Sequence, residues 1–489
     1  MSEARRELEA SVLPRASSID GREFAFQCSL EDVTLQVGGY VSIGDGTLGQ
    51  VHSLEQAWVE GAELAAAVGS ETAHAPHVRI ALARGSGVVL GSAHPFHDVP
   101  LERAAPEAVA RWLEGARASR AELDIGELVL EPGVRFPLDA GGFDRHTFLC
   151  GQSGSGKTYA LGTMLEQLLL ETSLRIVVLD PNSDFVRVGD VRAGVDDASA
   201  ERYASAVSGL VVRRGGGGPD RLHVRFTDCD GEEQAAVLHL DPVRDRDEYG
   251  ALVDLVDGGF ERSSVGARGL AAGLLASERD DLRTLGARVR NLGVHRWQIW
   301  SEGDEGALQD LVAPGGPRAL VVDLGSLDTT GEKAIAAESV LAALWRRRSE
   351  REPVLIVIDE AHNVCPREPG DPVTALATEH AARIAAEGRK FGLYLLVSTQ
   401  RPHRVNELVV SQCDNLVLMR MASTGDLSYV ADVLSVAPRA LLERATSFRM
   451  GESLVGGKIA SHPAFVRFGP RISEEGGADV PATWARGAP

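Results

Sequence analysis

An α/β fold, in which a mostly parallel sheet is covered by helices on both faces and a small antiparallel β-barrel precedes it, is what the 489-residue sequence predicts. Three observations carry this expectation. Beyond about residue 140, short apolar runs without polar alternation recur between stretches of helical period, as strands buried on both faces do. Ahead of that point the apolar runs are short and alternating, with glycine pairs between them. One run, Thr147 to Cys150, leads through a glycine-rich turn directly into a helical pattern.

The barrel is read from Phe24 to Phe26, Thr34 to Ser42, Val78 to Ala83 and Val88 to Leu90, with Gly38-Gly39 as one of the turns. A helical pattern over Pro106 to Ala118 and a strand-like one over Gly126 to Leu138 follow, and the domain boundary is expected near residue 140. Strands are then expected at Thr147–Cys150, Leu174–Leu179, Leu320–Val322, Val354–Ile358, Tyr394–Val397 and Leu416–Met419, with helices at Lys157–Leu170 and Thr374–Ala386. Residues 187–315 break this rhythm and read as a helical insertion, containing the flexible stretch Arg213 to Gly218 and an arginine-rich helix around Asp281 to Arg296. The expected division is a tail at 1–20, barrel and linker at 21–139, the α/β core at 140–470 and a Gly/Pro-rich tail at 471–489, either loose or strapped onto a neighbour.

Composition excludes several classes. Hydrophobic residues make up 44% and charged residues 25%, an ordinary globular balance. No apolar run approaches the roughly 18 residues of a membrane-spanning helix, and the N-terminus lacks the apolar core of a signal peptide, so the cytosol is the expected location. Five scattered cysteines without a Cys-x-x-Cys pair argue against a disulfide framework and a zinc site. A net charge of −20 rules out a generally basic surface but not a polyanion held in a channel. The cations are 46 arginines and four lysines, so a lysine inside a motif is informative.

Such a lysine ends the glycine-rich turn. Gly151-Gln152-Ser153-Gly154-Ser155-Gly156-Lys157-Thr158 fits the P-loop pattern and follows a strand and opens a helix, as phosphate binding requires. Backbone N–H groups of Gly151, Ser153, Gly154, Ser155 and Gly156 would point at phosphate oxygens of ATP. Lys157 would reach the β and γ phosphates, and the Thr158 hydroxyl would ligate Mg²⁺. The run Val354 to Ile358 ends in Asp359 and Glu360, at the crevice where α/β folds bind ligands. Asp359 would hold Mg²⁺ through its water shell, and Glu360 would activate the attacking water; two acids after a strand also occur as a plain helix cap. Asp180, closing the next strand, either joins the water and metal network or forms an Asp-Pro turn. Gln400, after Tyr394 to Val397, either senses the γ-phosphate or is a turn residue, and His362 reads as a structural or coupling residue in the loop after the strand. Only 89 residues follow Gln400, too few for a second ATP-binding lobe, so the other side of the site must come from another subunit.

The run Arg145 to Cys150 into the P-loop, Asp180-Pro181, Ile358 to His362, Glu387 to Gly392, Ser398 to Pro402 and Ser411 to Cys413 together resemble, in order and spacing, the HerA branch of the HerA/FtsK translocase superfamily. The resemblance covers about 330 residues of a RecA-like P-loop ATPase core, and the preceding barrel is similar to the barrel that HerA proteins share with ATP synthase subunits. It implies a homo-oligomeric ring, typically a hexamer, that threads double-stranded DNA beside a nuclease or effector in end processing or phage defence. Residue by residue it implies Lys157 and Thr158 as phosphate and metal contacts, Asp359 and Glu360 as metal and water acids, and Gln400 as a sensor. It also implies Arg389 and Arg145 as arginines that reach a neighbour's ATP site; a helix-dipole cap is the plainer role for Arg389, and Lys390 stands next to it. Two other readings compete: a conjugation or secretion ATPase of the same superfamily, and a scaffold that binds nucleotide only to assemble an effector. For gripping DNA, three arginine groups are open: Arg346 to Arg348 with Arg351, Arg401 with Arg404, and Arg283 to Arg296.

Overall fold

The computed structural model describes residues 12–30, 34–60, 79–116, 121–257, 267–301 and 306–477. Strands β1 (Arg15–Ser18), β2 (Glu23–Ser29), β3 (Tyr40–Ile43), β4 (Thr47–Glu60), β5 (Arg79–Val89) and β6 (Phe96–Arg103) close into a barrel in the order β1-β2-β5-β4-β3-β6. Every pairing is antiparallel, and closure leaves no strand edge open. The alternation read in the sequence fills the lumen: Phe24, Phe26, Val41, Ile43, Val51 and Leu101 are all buried.

Helix α1 (Pro106–Ala116) leads to β7 (Glu122–Leu128) and β8 (Arg135–Asp139), and here the expected boundary is corrected. These two strands do not belong with the barrel; they form one edge of the large sheet, β7 pairing with β17 (Ala464–Phe468) from the far end of the chain. Alternation shows that a strand has one buried face but not which sheet it joins, so the break falls between 104 and 121 instead of at 140. The expected 1–20 tail is also too long, because Arg15 to Ser18 is a barrel strand; residues 1–11 lie outside the described residues.

The large sheet runs β11-β12-β10-β13-β14-β9-β15-β16-β17-β7-β8. Its first seven strands are parallel: β11 (Leu210–Arg214), β12 (Ala319–Asp323), β10 (Arg175–Asp180), β13 (Val354–Ile358), β14 (Leu393–Thr399), β9 (His146–Cys150) and β15 (Cys413–Met419). Beyond them β16 (Glu452–Gly456) and β17 turn antiparallel. Burial on both faces explains the unbroken apolar runs. Ile176, Val178, Leu355 and Val357 pack with Leu161, Met164 and Leu168 of α2 (Lys157–Glu171). Their neighbours Val177, Leu179, Ile356 and Ile358 pack on the other side with Ile335 and Leu344 of one helix, Thr330–Arg346, and Ile384 of another, Pro372–Glu387. The insertion is shorter than the expected 187–315, since β11 at 210–214 is an edge strand of the sheet. The inserted helices lie between β11 and β12, with residues 258–266 and 302–305 outside the described residues.

Two seams tie the parts together. Barrel and core share a cluster in which the Tyr40 hydroxyl and His462 Nε2 are 2.7 Å apart and the imidazole meets Trp112 and Phe136 edge-on. Burial pushes the His462 pKa down to about 3, so the ring stays neutral. The start of the expected 471–489 tail is also fixed: Arg471, buried, donates Nε to Glu166 Oε1 of α2 at 3.0 Å, and Ile472 and Ser473 donate backbone N–H groups to the same carboxylate at 2.8 Å. Residues 478–489 lie outside the described residues. Glu166→Ala leaves the Arg471 guanidinium buried without its carboxylate and should lower stability by about 3–5 kcal/mol, read as a fall in the urea midpoint at constant slope.

Candidate active site

Parallel strands deliver their C-terminal ends to one edge, and the predicted nucleotide residues meet there. The glycine turn after β9 wraps the start of α2, with Gly156 at φ +92°, in the left-handed region that glycine adopts without a side-chain clash. A Cβ at Gly156 would sit 3.1 Å from the Gly451 backbone nitrogen, so both conformation and space call for glycine. No side chain caps α2, leaving its first N–H groups free for an anion.

Lys157, only 5% exposed, lies 2.8 Å from Asp359 Oδ1 and 3.1 Å from Glu360 Oε1, and donates to Ser398 Oγ at 3.1 Å. Burial works against its charge, but the two carboxylates outweigh it and raise the pKa. The lysine thus balances the acids that must flank ATP. Glu360 has φ +41°, an uncommon conformation for a non-glycine residue and worth of order 1–3 kcal/mol of strain. It aims the carboxylate toward Gln400, whose Nε2 donates to Oε1 at 2.7 Å and whose backbone N–H donates to Oε2 at 3.3 Å. Gln400 therefore holds the Glu360 carboxylate from both its side chain and its backbone. His362 Nδ1 lies 3.3 Å from Glu360 Oε2 and 3.1 Å from the Thr399 hydroxyl, and burial lowers its pKa.

Asp180 settles between its two expected roles. Its carboxylate accepts N–H groups of Asp184 at 3.0 Å and Phe185 at 2.8 Å, so it builds the turn; burial raises its pKa to about 7. The turn presents Asp184, whose Oδ2 accepts from the Thr158 hydroxyl at 3.3 Å and whose pKa burial, with Asp359 nearby, lifts to about 6. Sequence reasoning passed over Asp184, although an acid four residues after a strand-ending Asp was a usable signal. It also passed over Arg420, which directly follows β15 and donates to the Gly154 carbonyl at 3.0 Å. That contact depends on β15 lying beside β9, which no local pattern reveals.

The buried Asp359 Oδ2 and Ser155 Oγ have no hydrogen-bond partner, as expected of atoms that complete their bonding with a ligand. No cluster of three or more His, Cys, Asp or Glu side chains among the described residues could cage a metal alone. The donor set of Thr158, Asp359 and Asp184 suits a hard divalent cation that takes its other ligands from phosphate and water.

Arg145 and Arg389 are elsewhere. They precede β9 and β14, at the N-terminal ends of the strands whose C-terminal ends carry the P-loop and Gln400, so a strand length of roughly 15–20 Å intervenes. There they share one carboxylate: Arg389 Nη1 lies 3.0 Å and Arg145 Nε 3.5 Å from Asp414 Oδ2. Both are partly exposed, Arg389 at 40%.

Residues 123–257 match the family model described as the central domain of helicase HerA. Over this part of its length the chain is similar to HerA helicases. It is 24% identical over 409 residues to the DNA double-strand break repair helicase HerA of Pyrococcus furiosus, covering 71% of this chain and 69% of that one. With the protein of the same name from Sulfurisphaera tokodaii it is 30% identical over 167 residues, about a third of either chain. Among solved structures, VirB4 of Thermoanaerobacter pseudethanolicus aligns over 72% of this chain and 97% of its own at 15% identity, with a TM-score of 0.48. The chain is an ATP hydrolase with a P-loop site. Among the described residues, no helix is long and apolar enough to cross a membrane.

Lys157→Ala and Glu360→Gln should fail differently. The first removes the cation from phosphates and acids alike, so ATP binding is lost and the nucleotide-free protein melts earlier. The second keeps the charge of Lys157 for ATP, so labelled nucleotide should bind with near wild-type affinity while turnover falls by about 10² or more. Equal loss of affinity in both would make Glu360 a structural acid.

Proposed function

We propose that the protein is a homo-oligomeric ring, a hexamer, that couples ATP hydrolysis to movement along double-stranded DNA. In this reading it works in the cytosol beside a nuclease or other effector. The placement of Arg145 and Arg389 carries the reading: each subunit holds a P-loop and acids on one sheet edge and partly exposed arginines on the opposite edge. Stacking like subunits head to tail in a ring presents one subunit's arginines to the next subunit's nucleotide. The barrel at residues 15–103 fits the N-terminal barrel that the resemblance implies, and we divide the chain into barrel, α/β core with its inserted helices, and C-terminal strap.

Within the site, Lys157 and the α2 N-terminus hold the β and γ phosphates. When bound, Mg²⁺ neutralises phosphate charge, and Thr158 and Asp359 are the residues that would hold it. Glu360, oriented by Gln400, takes the proton of the water that attacks the γ-phosphorus as the bond to ADP breaks. Arg389 and Arg145 of a neighbour meet the charge that develops there, a contribution worth about 10³ to 10⁵ in rate where such arginines act.

A motor and a nucleotide-dependent scaffold differ in one measurement. Steady-state hydrolysis should accelerate several-fold when duplex DNA is added; an intact multimer indifferent to duplex would establish the scaffold.

The shared site makes a mixing prediction. Lys157→Ala and Arg389→Ala subunits, each inactive alone, should regain partial ATPase activity after subunit exchange, because some interfaces then join an intact P-loop to an intact arginine. Mixtures that stay dead while light scattering shows full assembly would remove Arg389 from the neighbour's site and turn the test to Arg145 or Lys390.

A further inference from the structure

Beside the nucleotide site lies a groove of about 1120 Å³, walled by the turn after β10, the first turn of the Thr330–Arg346 helix, the loop after β13 and the turn after β14. Lys333, Arg367, Arg401, Arg404, His362 and His403 line it, along with the acids Glu368 and Asp371. Several of these are committed elsewhere. Asp371 caps its own helix by accepting the Thr374 N–H at 2.9 Å, Arg367 pairs with Glu407 at 3.6 Å, and His403 pairs with Asp426 at 2.5 Å. Lys333, Arg401 and Arg404 have no carboxylate partner among the described residues, and the two arginines are exposed. In a chain of net charge −20, three cations without an acid partner stand together here, with Glu368 and Asp371 the two acids of the lining that lack a cation partner among the described residues.

Several members of the competing arginine groups are used in packing, while Arg290, Arg296 and Arg351 are exposed and stand apart from one another in the chain. Arg346 pairs with Glu233 at 3.0 Å, Arg348 stacks on Trp345 at 4.4 Å, and in the insertion Arg288 bridges Asp245 at 2.8 Å and Glu248. The groove is open, larger than a single nucleotide needs, and lined for anions, which suits a backbone of regularly spaced phosphates.

Its floor is continuous with the catalytic acid. Thr399, Gln400 and Arg401 are consecutive. The Thr399 hydroxyl accepts the Arg401 N–H at 3.0 Å and contacts His362, Gln400 holds Glu360 at 2.7 Å, and Arg401 faces the groove. A force on the Arg401 side chain reaches Glu360 through two residues of backbone.

Resting on the reading of the protein as a DNA motor, we infer that this groove binds the phosphate backbone of double-stranded DNA. Occupancy acts through Arg401 on the 399–401 turn, and so on the position of Glu360. Arg401 is a positioning residue in this scheme, and Lys333 and Arg404 are the grip.

The test uses the full chain in its assembled state and a fluorescent blunt duplex. The Lys333→Ala/Arg404→Ala double variant should bind duplex about tenfold or more weakly, with the slope of log affinity against log salt reduced by up to about two. Arg401→Ala should lower the ratio of duplex-stimulated to duplex-free hydrolysis by more than it lowers duplex affinity, and Arg401→Lys should restore affinity. A double variant with wild-type affinity and salt slope, in an assembly whose wild type is stimulated by duplex, overturns the groove alone. A wild type that neither binds duplex nor responds to it overturns the motor reading and the groove with it, and retained groove-dependent binding of an acidic protein in that case would assign the surface to a protein partner.

Discussion

Seven strands running one way sort the chemistry of this protein by strand end. Because β9, β10, β13, β14 and β15 are parallel, the P-loop, the Asp180 turn, Asp359-Glu360, Gln400 and Arg420 all emerge on one edge. Arg145, Arg389 and Asp414 stay on the other. No rotamer change joins the two groups, since a strand length separates them. In the proposed ring, a site divided in this way would be completed by a neighbouring copy. Hence the same constraint that builds the crevice makes assembly part of catalysis in the proposed ring.

The crevice edge is also an electrostatic compromise. Asp180, Asp184, Asp359 and Glu360 crowd around the buried ammonium of Lys157, and burial drives Asp180 and Asp184 toward protonation near neutral pH. An arrangement with more carboxylate than cation is costly in the free protein, and a divalent cation bound beside these acids would supply positive charge that Lys157 alone does not. The left-handed backbone of Glu360 adds strain at the same point. Strain and crowded charge held at one point in this form would be relieved by a bound cation.

Legibility in the sequence followed the range of the forces involved. The P-loop, the acid pair and the both-faces-buried strands depend on residues adjacent in the chain, and each appeared where expected. Strand order is different. That β7 and β8 extend the large sheet, and that β11 is an edge strand and not part of the insertion, follows from pairing between segments a hundred or more residues apart, for which alternation carries no information. Arg420 was passed over for the same reason: its contact with Gly154 exists only after β15 has found its place beside β9. The Glu166 clasp on residues 471–473 likewise turned an apparent tail into structure.

The arginine-rich composition acquires a physical meaning in this light. A guanidinium offers five donors in a fixed plane, and here it is used to gather carbonyls and carboxylates from separate elements. Arg175 donates to the carbonyls of Leu311, Ala313 and Pro317 while pairing with Glu352, and Arg318 reaches the carbonyl of Leu169. Arginines spent on such joints contribute no attraction for a polyanion. At physiological salt the Debye length is about 8 Å, so the overall charge of −20 is felt weakly at a distance, and what decides contact with a polyanion is the balance within a few ångströms of it. In such a chain an anion-binding surface can only be a place where the structure has left its cations unpaired. The groove of Lys333, Arg401 and Arg404 meets that condition one turn of backbone from Glu360.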